Sequence, residues 1–151
     1  MDQDRRGALV FDPPTSIDLP DSAEAPRIAR GLVAAMWREW GMETDDLAPT
    51  LLTSEVVTNA LRHSYPPRRL SIAREPSGSV LVQVSDASPA PPVRRVSREA
   101  DSLGGRGIWL LDQLADRWGH ETTGTGKRVW FIVSPGHPAA GIDGSEAAAS
   151  M

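Results

Sequence analysis

The most informative stretch of the chain is Leu52-Thr53-Ser54-Glu55-Val56-Val57-Thr58-Asn59-Ala60-Leu61-Arg62-His63-Ser64. Its apolar residues recur at helical spacing, so it predicts a helix. Glu55 and Asn59 are four positions apart and therefore share one helix face. A carboxylate beside a carboxamide is unfavourable on a face that packs in a core. The same pair can bind a divalent cation and can polarise a hydroxyl or a water molecule beside a phosphate. The pair therefore predicts a functional site, with two solvated polar residues as the alternative.

The composition is that of one globular domain. A chain of 151 residues with 40% hydrophobic and 24% charged residues can bury a single core. Because no apolar run could cross a bilayer and the N-terminus lacks an apolar segment, we expect neither membrane insertion nor a secretory signal. The absence of cysteine excludes disulfides and agrees with a cytoplasmic location. A net charge of −4 argues against binding to nucleic acid.

Two helices are predicted in the first half of the chain. The first covers residues 21–40, capped by Asp21 or Ser22, with Pro26 tolerated in its first turn and Gly41 at its end. The second opens near residues 44–46 and ends before the prolines at 66 and 67. The expected core residues are Ile28, Leu32, Met36 and Trp40 in the first helix, and Leu47, Leu51, Leu52 and Val56 in the second. Ahead of both helices, Ala8 to Phe11 predicts an edge strand or arm, followed by a loop to about Pro20.

The second half predicts a hairpin, a lid, a short helix and a final strand. Residues 70–74 and 80–84 form the hairpin around residues 76–79. Residues 86–103, rich in proline and arginine, predict a functional lid. A helix over residues 108–114, Trp118 in a strand, and a turn at residues 124–126 lead into a strand at 128–133. The tryptophans are expected mainly in the core: Trp37, Trp40, Trp109, Trp118 and Trp130. We therefore divide the chain into an arm (1–20), one domain (21–134) and a disordered tail (135–151).

Three further candidate site features each have a simpler alternative. Asp86 ends a strand and is either a loop-capping aspartate or a carboxylate at the floor of a cleft, accepting from an amine such as that of adenine. The run Gly104-Gly105-Arg106-Gly107 enters a helix and can cradle a phosphate, or it is a hinge. It matches neither a P-loop nor a dinucleotide fingerprint. Lys127 follows a glycine turn and is otherwise a solvated hairpin residue.

The order of these motifs resembles the GHKL, or histidine-kinase-like, ATPases. The series is Glu-x-x-x-Asn on a helix, Asp at a strand end, a lid, Gly-x-Gly at a helix start, and Gly-Thr-Gly-Lys before a strand. The sequence of residues 54–60 resembles that of the small single-domain branch of this family, the anti-sigma-factor serine/threonine kinases. The resemblance covers roughly residues 21–134. It implies the α/β Bergerat fold, a two-layer sandwich whose mixed, largely antiparallel sheet is covered on one face by about three helices.

The resemblance also implies ATP and Mg²⁺ as cofactors, and it gives each motif a role. Asn59 would ligate Mg²⁺, and Glu55 would be the base for the acceptor hydroxyl. Asp86 would meet the adenine amine, with Lys127 in the same nucleotide site. The residues around the phosphates would be Gly105, Arg106 and Gly107.

The function implied is phosphorylation of a serine or threonine on an anti-anti-sigma protein, which competes with a sigma factor for the kinase. A homodimer is also implied, with Ala8 to Phe11 as an edge that can pair. Ser88 and Ala90 occupy positions where the wider superfamily has glycines, so the backbone approaches the nucleotide less freely. An alternative is therefore a binding module that sequesters its partner without phosphoryl transfer. A third hypothesis is an ATP hydrolase in which Glu55 activates water.

Overall fold

The computed structural model describes residues 11–88 and 103–134, and for residues 103–106 it describes the backbone alone. The strands and helices, in chain order, are β1 (Thr15–Leu19), α1 (Ala25–Glu39), α2 (Leu47–His63), β2 (Arg68–Arg74), β3 (Val80–Asp86), α3 (Leu103–Leu114), β4 (Arg117–Thr122) and β5 (Lys127–Val133). The expected tail and most of the expected lid lie outside the described residues. No helix within the described ranges is long and apolar enough to cross a membrane.

The strands form one sheet in the order β1-β2-β3-β5-β4, and all four pairings are antiparallel. In the helix layer, α1 packs against α2, and α2 packs against α3 and β3. The expected two-layer α/β sandwich is therefore confirmed, with α2 in the middle of its helix layer. The predicted hairpin is also confirmed, since Arg74 pairs with Val80 across the turn and Gly78 takes a φ of 106° there.

The main core lies between the helices and one face of the sheet. Leu52 and Val57 of α2 are fully buried against alternate residues of the central strands. These strand residues are Leu70, Ile72, Val80, Val82, Val84, Phe131 and Val133. Each such side chain contributes about 1.5–3 kcal/mol by leaving water. A smaller cluster on the opposite face joins Leu81, Trp130 and Ile132 with Phe11.

The core-facing stripe of each helix differs in part from the prediction. In α1 the buried residues are Ala25, Ala29, Val33 and Trp37, whereas the predicted stripe is half-buried beside them. Small residues at the centre of the contact let α1 lie close to its neighbours, so the larger residues pack around the edge. In α2, Leu52 and Val56 are buried as predicted, but Leu47 is 59% and Leu51 36% exposed. Of the five tryptophans, Trp109 is wrongly predicted, because it is 59% exposed on α3.

The bounds of two elements also differ from the prediction. Residues 15–19 form the edge strand β1, where a loop was predicted; the alternation of Ile17 and Leu19 places both on the helix-facing side. Helix α1 begins at Ala25, with Glu24 rather than Asp21 or Ser22 as its N-cap. Trp118 and the final strand lie as predicted.

Candidate active site

Helix α2 carries Glu55 and Asn59 on its inner side. Glu55 is buried, with 7% of its surface exposed, and Asn59 is half-buried. Neither is therefore a freely solvated residue of an exposed face. The basic Arg62 and His63 in the last turn favour the helix through its negative C-terminal dipole. Helix α2 thus holds an acid and an amide one turn apart at the boundary of the core.

Arg68 fixes the end of α2 to the sheet. Its guanidinium donates from Nε to the carbonyl oxygen of Ala60 at 3.0 Å, and from Nη2 to that of Ser64 at 2.8 Å. Its Nη1 also donates to Oδ1 of Asp21 at 2.7 Å. The Ala60 carbonyl also accepts from the N–H of Ser64 at 3.0 Å, so Arg68 adds a second donor there, while it gives the Ser64 carbonyl beyond the helix end a charged donor. Arg68 makes these bonds while being only 3% exposed. The sequence alone does not predict this role of Arg68, because a single arginine at a strand start has no distinctive pattern.

Asp86 and Lys127 form a largely buried ion pair on the helix-facing side of the sheet. They are direct partners in the pairing of β3 with β5, and Lys127 Nζ lies 3.0 Å from Asp86 Oδ2. The side chains of Asp86 and Lys127 are 4% and 13% exposed, so the alternative of a solvated hairpin lysine is wrong. The other carboxylate oxygen, Oδ1, accepts from the backbone N–H of Ser88 at 2.7 Å. Asp86 is therefore a loop-capping aspartate, as one of the two interpretations predicts. The same carboxylate also forms the ion pair with Lys127.

The backbone around Asp86 is held from two sides. A Cβ added at Gly126 would lie 1.9 Å from the carbonyl oxygen of Asp86 and 2.8 Å from Cα of Ala87. Gly126 is therefore required for a close approach of two backbones, a role that the glycine turn at residues 124–126 does not by itself predict. From the other side, the N–H of Ala87 donates to the carbonyl oxygen of Tyr65 at 3.0 Å. That bond joins the segment after α2 to the segment after β3.

The glycines predicted to precede a helix lie within α3 itself. Gly105, Arg106 and Gly107 all fall in the helical range that begins at Leu103, and Gly107 is buried. The side chain of Arg106 is not among those described. The first N–H groups of an α-helix lack intrahelical acceptors and carry a partial positive charge, so the start of α3 suits an anion.

The structure brings part of the predicted set into direct contact. Asp86 and Lys127 touch, and the Tyr65 to Ala87 bond places the end of α2 beside them. The helix that carries Glu55 and Asn59 packs on both α3 and β3. Ser88 is buried beside Asp86, and Ala90 lies outside the described residues. A separate cavity of about 580 Å³ lies near the C-terminal end of α3, and its lining includes Asp112, Trp118 and Trp130. None of the predicted site residues lines this cavity.

The family model for the histidine kinase-like ATPase domain matches residues 19–133. The chain belongs to this ATPase domain family. The fold of this histidine kinase-like ATPase domain is similar to a crystal structure of the RsbU and RsbW domains of Rv1364c from Mycobacterium tuberculosis, with a TM-score of 0.62 and 19% sequence identity. That match covers 82% of this chain and 32% of the other, so this chain spans about a third of the length of that crystallised chain. No match was found among curated proteins.

The side chains of this ATPase domain have a chemistry that fits Mg²⁺ and ATP. Carboxylate and carboxamide oxygens are the protein ligands that Mg²⁺ prefers, and α2 supplies one of each in Glu55 and Asn59. The start of α3 supplies N–H groups for phosphate. The Asp86–Lys127 pair supplies a hydrogen-bond acceptor and a donor side by side. Among the described residues there is no cluster of three or more His, Asp or Glu side chains that could hold a metal ion.

Proposed function

We propose that this protein is an ATP- and Mg²⁺-dependent serine/threonine kinase that acts as an anti-sigma factor. Its substrate would be a serine or threonine of an anti-anti-sigma protein, and a sigma factor would be its competing partner. The observation that carries the proposal is the buried Glu55, one helical turn from Asn59 on the helix that packs on both α3 and β3. The membership of the ATPase family and the RsbW domain in the similar structure support it.

Each side chain has a role that matches its surroundings. When bound, ATP would supply the phosphoryl group, and Mg²⁺ would neutralise negative charge on the phosphates. Asn59 would hold the metal through its side-chain oxygen, and the first N–H groups of α3, with Gly105 among them, would hold phosphate oxygens. Glu55 would accept the proton of the acceptor hydroxyl. Because phosphoryl transfer needs mainly positioning and charge stabilisation, a buried carboxylate held on a rigid helix is sufficient for that step.

A second candidate function is a module that binds its partner without transferring phosphate. The observation that favours it is the state of Asp86, whose carboxylate already accepts from Ser88 N–H and Lys127 Nζ and is 4% exposed. In this alternative the carboxylate would serve the loop rather than a nucleotide. The two functions differ in one measurable product, a phosphorylated partner.

The test combines binding and transfer in matched variants. Asn59→Ala should abolish Mg²⁺-dependent ATP binding in a calorimetric titration, because the amide ligand is removed. Glu55→Gln keeps the shape of the buried side chain, so it should bind ATP like the parent chain while transfer falls by about 10²-fold or more. Arg62→Ala, an exposed residue of the same helix end, is the control that should change neither.

Transfer is measured by incubating the protein with labelled ATP and candidate acceptor proteins, then locating phosphoserine or phosphothreonine by mass spectrometry. A stoichiometric phosphorylated acceptor excludes the pure binding module. Phosphate released without any acceptor indicates an ATP hydrolase instead. Unchanged ATP binding in Asn59→Ala would contradict the proposed metal ligand.

A further inference from the structure

We infer that Arg68 is a positioning residue for the proposed metal ligand Asn59, and that its guanidinium determines how strongly Mg²⁺ supports ATP binding. This inference rests on the proposed function, since it concerns the metal that the kinase would use. Arg68 is only 3% exposed and bonds to the end of α2, so it acts through that helix rather than by contact with the nucleotide.

Asn59 lies close to the end of its helix. Helix α2 ends at His63, and the following residue, Ser64, has extended backbone angles of φ −140° and ψ −176°. The last turn of a helix lacks part of its hydrogen bonds and opens readily. Mg²⁺ requires nearly ideal octahedral geometry, so a ligand on a turn that opens binds it poorly. The last turn of α2 must therefore be held in place if Asn59 is to bind the metal.

Arg68 and Ser64 hold the carbonyl group of Ala60, the residue that follows Asn59. This carbonyl oxygen accepts from the N–H of Ser64 at 3.0 Å, from the hydroxyl of Ser64 at 2.6 Å and from Nε of Arg68 at 3.0 Å. The same Nε lies 3.0 Å from the hydroxyl oxygen of Ser64, and Nη2 donates to the carbonyl oxygen of Ser64 at 2.8 Å. Because bonds from a charged donor are roughly twice as strong as neutral ones, Arg68 contributes most to this network.

The guanidinium is itself held by the sheet and by the loop before α1. Arg68 begins β2 and pairs with Leu19 of β1, while Nη1 donates to Oδ1 of Asp21 at 2.7 Å in the loop between β1 and α1. A guanidinium has five donors in one rigid plane, so it can bind two carbonyls and a carboxylate at the same time. Arg68 thus connects the turn that carries Asn59 to the edge of the sheet.

Arg69 provides a matched control. It is the next residue of β2, and neighbouring strand residues point to opposite faces of the sheet. Its guanidinium bonds to Asp18, and the two side chains are 53% and 80% exposed. Arg69→Met therefore removes the same charge one position along the chain without changing the network at Ala60 and Ser64.

The experiment measures ATP affinity with and without the metal. Dissociation constants for ATP are determined by calorimetry in Mg²⁺ and in EDTA, for the full parent chain and for Arg68→Met and Arg69→Met. We expect Mg²⁺ to strengthen ATP binding by the parent chain. Arg68→Met should reduce that gain by about tenfold, since loss of a residue that orients a metal ligand typically costs about 10–100-fold in metal affinity. Arg69→Met should keep the gain of the parent chain.

The ratio of the two dissociation constants separates positioning from stability. A variant that is merely less stable has a smaller folded fraction, which weakens ATP binding by the same factor in Mg²⁺ and in EDTA. The loss expected for Arg68→Met is confined to the solution that contains Mg²⁺, so it changes the ratio.

Arg68→Lys covers the case in which Arg68→Met fails to fold, because it keeps a positive charge for Asp21 but lacks the planar set of donors. We expect its gain from Mg²⁺ to be smaller than that of the parent chain. Amide exchange without nucleotide tests the step between Arg68 and Asn59. Exchange at residues 60–64 should be faster in the Arg68 variants than in the parent chain or in Arg69→Met.

The outcomes distinguish this inference from the proposed function. An unchanged gain from Mg²⁺ in the folded Arg68 variants, or unchanged exchange at residues 60–64, would overturn the inference while leaving the proposed function intact. A parent chain that binds no ATP, or binds it equally in Mg²⁺ and in EDTA, would overturn the proposed function itself and the inference with it.

Discussion

Substitution of Gly126 by alanine tests the close approach that holds Asp86 in place. The new Cβ would lie 1.9 Å from the carbonyl oxygen of Asp86, and 2.8 Å from two further backbone atoms of residues 86 and 87. Because these are backbone atoms, no side-chain rotation can relieve the overlap. The two strands must separate by about 1 Å or more, and shifts of that size cost roughly 1–3 kcal/mol of unfolding free energy. The same shift would displace Asp86 relative to Lys127, so ATP binding should weaken as well.

Gly124 in the same turn is the matched control, since a Cβ there meets nothing within 4 Å. Gly124→Ala should change the unfolding free energy by no more than about 0.5 kcal/mol. Both variants are compared with the parent chain by urea denaturation followed by circular dichroism, and by calorimetric titration of ATP. Equal stabilities for the two alanine variants would refute the reasoning, because they would mean that β3 and β5 do not approach so closely at Gly126.

Two further predictions concern the elements that position the site. Arg68→Met should lower the unfolding free energy by about 2–4 kcal/mol, because the carbonyls at the end of α2 lose a buried charged donor. Arg69→Met is the control: it breaks an exposed ion pair with Asp18 and should lower the unfolding free energy by about 0–1 kcal/mol. Both are measured by the same urea denaturation. Equal costs for the two would contradict the role given to Arg68. Gly31 is an exposed residue of α1 with open space around it, so Gly31→Ala should add about 0.5–1 kcal/mol to the unfolding free energy and raise the midpoint of thermal unfolding. A lower midpoint would show that α1 has no such space at this position.

The architecture was predictable because strong local signals coincide with the elements. Helix α2 and the β2–β3 hairpin follow from apolar periodicity and turn residues. Strand β1 was missed because Pro13 and Pro14 precede it and its apolar alternation spans only five residues. The buried face of α1 was predicted incorrectly because two of its residues, Ala25 and Ala29, are small. A pattern of large apolar residues does not detect alanines in a helix contact.

The site was predictable as a set of residues but not as a set of contacts. The pairing of Asp86 with Lys127 depends on the register of β3 with β5, which joins positions 41 apart in sequence. Likewise, the cap that Arg68 provides depends on the chain returning to the end of α2 after the turn that follows it. Contacts of this kind follow from the tertiary fold, so local patterns in the sequence do not contain them.

Hydrogen–deuterium exchange with and without Mg²⁺-ATP tests most directly whether separated segments build one nucleotide site. We predict that Mg²⁺-ATP slows amide exchange together in the second half of α2, at the end of β3, in the first turns of α3 and at the start of β5. Exchange at the β2–β3 turn, residues 75–79, should not change, because that turn lies at the other end of the sheet. Exchange that Mg²⁺-ATP leaves unaltered in these four segments, or slows elsewhere, would contradict the account.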